Sequence, residues 1–149
     1  MSITNKRGYC GIGLHSPKNN INVASVLRAS GCYNASFVAT TGKRYEKSSV
    51  DTQSRFRHAP LFHTDDLKDI IPYGCVPVAV ELIEGAQDLT NYKHPESAFY
   101  IFGPEEGSLG KKTTDWCRDV IYIPTDYCMN LAATVNVVLY DRLAKQNRK

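Results

Sequence analysis

Arg28 and Asn22 stand six residues apart on a stretch whose apolar positions, Ile21, Val23, Val26 and Leu27, have helical spacing. A guanidinium there is a planar fork that can hold a phosphate while a further N–H points at a neighbouring oxygen. An asparagine side chain both donates and accepts. The ordinary alternatives are a surface arginine on an amphipathic helix and an asparagine that caps a helix start. Farther on, Phe102-Gly103-Pro104-Glu105 and Ile123-Pro124 followed by Cys128-Met129-Asn130 each come directly after a short apolar run. Both read as strand ends. In an open α/β sheet ligands bind past the carboxyl ends of strands, and a glycine there lets backbone approach closely. Two such ends side by side point to a cofactor pocket, with Glu105 able to tie down its loop. Cys128 has a rival reading as a nucleophile, but no thiol activator neighbours it in sequence, which favours a small buried thiol.

The elements that must position these groups alternate. Gly8 to Leu14 reads as a first strand, Asn20 to Ser30 as a helix stopped by Gly31, and Ser36 to Ala39 as a second strand. Pro60 to His63 is a short third strand. Thr64-Asp65-Asp66 then caps a helix reaching Ile71. Val76 to Leu82, Ala98 to Phe102 and Val120 to Ile123 complete about six strands, with a short helix near Thr113 to Arg118. A closing helix from Asn130 to Lys145 carries Leu131, Val135, Val138, Leu139 and Leu143 on one face, with Arg142 and Lys145 suited to its C-terminal dipole. This order implies βαβ units and an α/β fold with a mainly parallel sheet flanked by helices. Gly8, Gly11 and Gly13 lack the spacing of a dinucleotide-binding loop and lie within a strand.

Composition sets the outer bounds. At 149 residues the chain reads as one domain, 1–149, large enough for a core without metal or disulfide staples. Its 42% hydrophobic and 22% charged content is ordinary for a globular protein, and no apolar run approaches a membrane span. The first seven residues have no apolar signal-peptide core, and five scattered cysteines without C-x-x-C spacing fit reduced thiols in a cytoplasm. A net charge of +3 leans toward polyanionic partners without deciding for one.

The segment Asn22 to Arg28, the Phe102-Gly103-Pro104-Glu105 turn and Cys128-Met129-Asn130-Leu131-Ala132, followed by Val137-Val138-Leu139-Tyr140-Asp141, resemble the three ordered motifs of the SpoU (TrmH-like) RNA ribose methyltransferases, of the SPOUT superfamily. The resemblance covers nearly the whole chain. It implies a C-terminal trefoil knot, S-adenosylmethionine (S-adenosyl-L-methionine) bound at the knot, an obligate homodimer, and methylation of a ribose 2′-hydroxyl in tRNA or rRNA. No metal is required. By the same resemblance Arg28, Asn22, Glu105 and Asn130 are the catalytic set. Val80, Glu81, Phe102, Gly103, Ile123, Cys128, Met129 and Asn130 would line the cofactor cleft. Three positions depart from the pattern: Ala24 replaces a glycine, Cys128 replaces a serine, and the glycine after Glu105 comes early, at Gly107.

For RNA contact the segment 40–58 offers Lys43, Arg44, Lys47, Arg55 and Arg57, with Tyr45 and Phe56 interleaved to stack a base. A charge run is also what a merely solvated face looks like. A catalytically silent RNA-binding knot protein and a small-molecule enzyme using the same cofactor stay open on these residues alone.

Overall fold

Seven short strands form a single sheet in the computed structural model, which describes residues 8–46, 59–105 and 107–148. They are β1 (Tyr9–Leu14), β2 (Val38–Thr40), β3 (Leu61–His63), β4 (Val76–Val80), β5 (Gln87–Asp88), β6 (Ser97–Phe102) and β7 (Asp119–Tyr122). The spatial order is β3-β2-β1-β6-β4-β7-β5, and every pairing is parallel. A parallel sheet needs cover on both faces, which explains why β6, Ser-Ala-Phe-Tyr-Ile-Phe, is apolar after its first residue. Its side chains alternate between two cores. Ala98, Tyr100 and Phe102 join the cluster beneath helices α1 (Asn20–Cys32) and α3 (Leu131–Gln146), while Phe99 and Ile101 join a second cluster with Phe37, Leu67 and Leu109. Helix α2 is a single turn, Lys111–Thr114.

β1 shows how sequence serves this packing. A Cβ at Gly11 would lie 2.5 Å from the Phe37 ring, and one at Gly13 2.7 Å from the Phe99 ring. The two phenyl rings stack at 5.6 Å over the strand. These glycines therefore make room for aromatic packing and bind no phosphate.

Two late strands lie between earlier ones: β6 between β1 and β4, and β7 between β4 and β5. β6 and β7 are thus separated by β4, which corrects the expectation that their ends are adjacent. The expected six strands become seven because Gln87–Asp88 is too short and polar to register as a strand. α1 runs past Gly31 to Cys32, and Asn34, at φ 58°, takes the left-handed position after it. The helix expected to reach Ile71 is only a 3-10 turn, Leu67–Ile70, with Asp66 accepting from the Lys68 N–H. Leu67 is its one buried residue, and Pro72 follows directly.

Arg142 departs most from expectation. It points inward, 5% exposed, and donates to the Pro95 carbonyl (2.8 Å), the Glu96 carbonyl (2.7 Å) and the Tyr100 hydroxyl (3.0 Å). Beside it, His94 Nε2 lies 2.7 Å from Asp141 Oδ2 and Nδ1 lies 2.7 Å from the Tyr100 hydroxyl. A carboxylate only accepts, so Nε2 carries the hydrogen and Nδ1 of the neutral ring accepts from Tyr100. Lys145 completes the group, pairing with Asp141 at 2.8 Å and donating to the Leu89 and Tyr92 carbonyls. The C-terminal half of α3 is thereby fastened to the segment 89–96.

Burial lowers the His94 pKa, outweighing the Asp141 hydrogen bond and charge, while the nearby Lys145 and Arg142 charges lower it further. The folded state thus binds this proton less readily than the unfolded chain. Stability is fully present above about pH 6.5 and declines as the pH falls from there toward the folded-state value, levelling off below it. Urea midpoints taken from pH 7.5 down to pH 5 should show the decline. His94→Gln, which cannot titrate, should remove that part of the slope.

Candidate active site

A cavity of about 290 Å³ opens where the carboxyl ends of β4 and β6 meet the first turns of α1 and α3. This is the crevice beside the point where successive strands turn to opposite sides of β1, the usual ligand position in such a sheet. Its lining comprises Asn22, Val80, Glu81, Phe102, Gly103, Pro104, Glu105, Gly107, Met129, Asn130, Leu131 and Thr134. Three stretches far apart in sequence, around 22, 102–107 and 129–134, thus line one cavity with the end of β4.

Glu105 organises the entrance to α1. Its Oε1 accepts from the Lys18 N–H at 2.9 Å, and Oε2 accepts from the Asn22 side-chain amide at 2.8 Å and the Asn19 N–H at 3.4 Å. A carboxylate over the N–H groups at a helix start satisfies donors that have no partner within the helix. Burial pushes its pKa up. Hydrogen bonds from Asn22 and from the backbone N–H groups of Glu105, Lys18 and Asn19 outweigh that and leave it below the ordinary carboxylate value. Glu105 is thus an ionised anchor with occupied oxygens. Its partners are the α1 entrance and Asn22, which fits the expectation that Glu105 ties down the loop. Asn22 is held by this bond while its backbone N–H donates to the capping Asn19 side chain at 2.9 Å.

The opposite wall is built by analogous devices. Asn130 caps α3, its Oδ1 accepting from the Ala133 N–H at 2.8 Å, and its carbonyl accepts from the Thr134 hydroxyl at 2.9 Å. The cap uses the oxygen and leaves the amide N–H groups for whatever enters the cavity. Glu81 Oε2 accepts from the Leu109 N–H at 2.8 Å, joining the end of β4 to the loop after β6. That loop folds back so tightly that a Cβ at Gly103 would sit 3.2 Å from the Leu109 nitrogen. The glycine at this strand end is needed for the loop's own backbone as well as for ligand approach.

Of the expected cofactor residues, Val80, Glu81, Phe102, Gly103, Met129 and Asn130 line the cavity. Two do not. Ile123 packs against the core cluster under α1 and α3, because it directly follows β7 and is still held by that layer. Cys128 is exposed on the loop between β7 and α3, which corrects its reading as a buried thiol beside the cofactor. Arg28 is exposed on α1 and lies outside the cavity wall of its own chain. Six residues of helix put it about 9 Å along the axis and about 120° around from Asn22. Pro104, Gly107, Leu131 and Thr134 were missed as lining residues. Their nearness to Gly103 and Asn130 in sequence was the available signal.

In the basic segment Lys43 and Arg44 are exposed, while Lys47, Arg55, Phe56 and Arg57 lie outside the described residues. Tyr45 is not available to stack a base. It is 7% exposed, its hydroxyl donates to the Pro17 carbonyl at 2.6 Å, and Lys43 lies 5.3 Å over its ring.

The helix surface away from the sheet has its own character. Ile21 is 73% exposed, Tyr140 59% and Val137 37%. Tyr33 and Tyr140 meet edge to face at 6.4 Å across the α1–α3 seam. Arg28, seven residues after Ile21, shares its side of α1. Among the described residues no helix is long and apolar enough to cross a membrane.

Comparison with known proteins agrees with this geometry. AviRb, a SpoU methyltransferase from Streptomyces viridochromogenes solved with the cofactor AdoMet, superposes with a TM-score of 0.82 at 18% identity, over 96% of this chain and 60% of that one. The A. aeolicus TrmH/SpoU tRNA modifying enzyme gives 0.80 at 14% identity, over 95% and 77%. A protein solved for insight into 2-OH methylation of C/U34 on tRNA gives 0.81 at 18% identity, over 95% and 99%. The chain spans about 60% of the length of AviRb. At these identities the likeness shows a shared fold. No curated protein matches the sequence. The model of the SpoU rRNA Methylase family matches residues 10–140, and the chain belongs to that family.

Proposed function

We propose that this protein is a cytoplasmic, S-adenosylmethionine-dependent RNA methyltransferase. It transfers a methyl group to a ribose 2′-hydroxyl of tRNA or rRNA, as a homodimer of one domain whose C-terminal segment is threaded as a trefoil knot. The cavity carries the reading, because Asn22, Glu105, Gly103 and Asn130, drawn from all three family motifs, stand on its wall. Its volume, about 290 Å³, sits at the small end of ligand pockets. The lining suits a cationic cofactor, with the carboxylates of Glu81 and Glu105 beside the apolar side chains of Val80, Phe102 and Met129. Insertion of β7 between β4 and β5 supports the knotted path. One neighbour whose length this chain matches is described for tRNA, which favours tRNA among the two substrates.

Bound there, S-adenosylmethionine supplies a methyl group on a sulfonium, ready for in-line displacement. Val80, Glu81, Phe102, Gly103, Met129 and Asn130 would hold it, while Glu105 fixes Asn22 and the loop. Arg28 comes from the second copy. A partner seated on the exposed Ile21, Val137 and Tyr140 and the half-buried Tyr33 covers apolar area and carries its Arg28 toward this chain's cavity. There the guanidinium holds a phosphate and directs an N–H at the ribose oxygen, stabilising the charge that develops on it while the hydroxyl proton passes to solvent.

Incubation with labelled cofactor and total RNA, followed by digestion and nucleoside mapping, tests the reading; absence of a 2′-O-methylated product rejects it. S-adenosylmethionine at 100 times its Kd should also add about 2.7 kcal/mol and raise Tm by roughly 5–10 °C. No shift would favour a silent RNA-binding protein.

A further inference from the structure

At about 290 Å³ the cavity is small even for a cofactor alone, so the target nucleotide is expected on its rim. Three loops run on from the strands at the carboxyl end of the sheet, where the cavity lies. The loop after β4 carries Leu82 and Ile83, 76% and 41% exposed. The loop after β7 carries Tyr127, 87% exposed and two residues before the cavity-lining Met129. Its Cα is therefore at most about 7.6 Å from that of Met129. The Thr125 hydroxyl donates to the Tyr127 carbonyl at 2.8 Å, closing a turn beneath the ring. The third loop, after β6, leads into exposed Lys111 and Lys112. The Glu81–Leu109 bond fastens it beside Leu82.

Tyr73 is also fully exposed, but it precedes β4, at the opposite end of the strands from this cavity. Single exposed apolar side chains are common. An aromatic, two aliphatics and two lysines around one cavity mouth are the combination that holds a single nucleic-acid strand, the ring stacking a base and the cations meeting phosphate. Glu84 and Asp126 border the same rim, so the lysines act as point contacts and create no broad positive field.

We propose that Tyr127, Leu82, Lys111 and Lys112 seat the target nucleotide of a single-stranded RNA segment, with Tyr127 stacking on its base. The inference rests on the RNA-methyltransferase reading above and adds a substrate surface separate from the 40–58 segment. Stacking tolerates any base, so the preference set here is for unpaired RNA over duplex.

The test measures anisotropy of a fluorescein-labelled, mixed-sequence, single-stranded oligoribonucleotide of about 15 nucleotides, together with methyl transfer to total tRNA. Tyr127→Ala should bind the oligomer about tenfold more weakly and raise KM for RNA, with the stabilisation by S-adenosylmethionine unchanged. Tyr127→Phe should match the parent. The Lys111→Ala/Lys112→Ala pair should lower the slope of log affinity against log salt by about 1.4. If the parent transfers methyl to RNA and Tyr127→Ala equals it in oligomer affinity and KM, the rim proposal is overturned and the methyltransferase reading stands. If the parent neither binds the oligomer nor modifies RNA, both fall.

Discussion

Replacing Arg28 with alanine should lower methyl transfer to RNA at least about 100-fold, the effect of removing one preorganised charge from a developing oxyanion. Affinity for S-adenosylmethionine should stay within about twofold, since Arg28 lies outside the cavity of its own chain. Full activity in the variant would reject the arginine's role. A mixing experiment then decides which chain's cavity the guanidinium serves. Gly103→Val spoils the cavity, because it adds a side chain to its lining and presses a Cβ on the Leu109 nitrogen at 3.2 Å, but keeps Arg28. Arg28→Ala keeps the cavity. Refolded together, half the dimers pair one of each, and every such dimer has one complete site if the arginine crosses to its partner. Activity should return to about a quarter of the parent's. No recovery would place Arg28's action within its own chain.

The second large effect concerns stability. Arg142→Ala should cost about 3 kcal/mol and lower Tm by roughly 6–12 °C, read by calorimetry. The arginine fills three acceptors, the part-buried Pro95 and Glu96 carbonyls and the buried Tyr100 hydroxyl. Truncation strands them and opens a hole under α3. Arg142→Lys retains a cation without the planar fork and should fall between the two. A loss under about 0.5 kcal/mol in the alanine variant would mean water replaces the guanidinium without penalty.

The sequence reading found the sheet's direction, its covering helices and most of the cavity, because buried parallel strands are written as continuous apolar runs and the family motifs mark their ends. Asn22 and Asn130 were legible as pocket-wall residues from their motif positions, but the capping alternative for Asn22 was not met, because Asn19 caps α1, and the cap made by Asn130 went unread. What escaped depended on three-dimensional context. Arg142 carries a charge at a C-terminal position, and nothing local shows that three acceptors await it inside. Tyr45 sits among lysine and arginine and reads as surface, yet its hydroxyl reaches Pro17, 28 residues earlier. Ile123 and Cys128 were assigned by motif position. The structure keeps the first in the core and leaves the second in solvent, while Met129 and Asn130 reach the wall.

The placement of β6 and β7 between strands made earlier has a consequence for biosynthesis. A growing chain that has delivered β1 to β5 cannot yet join β1 to β4, nor β4 to β5, because the separating strands have not left the ribosome. Until residue 122 emerges, those strand edges are bare hydrogen-bonding templates open to pairing with other chains. Shelter for the nascent protein is needed longest where the ligand crevice will later form.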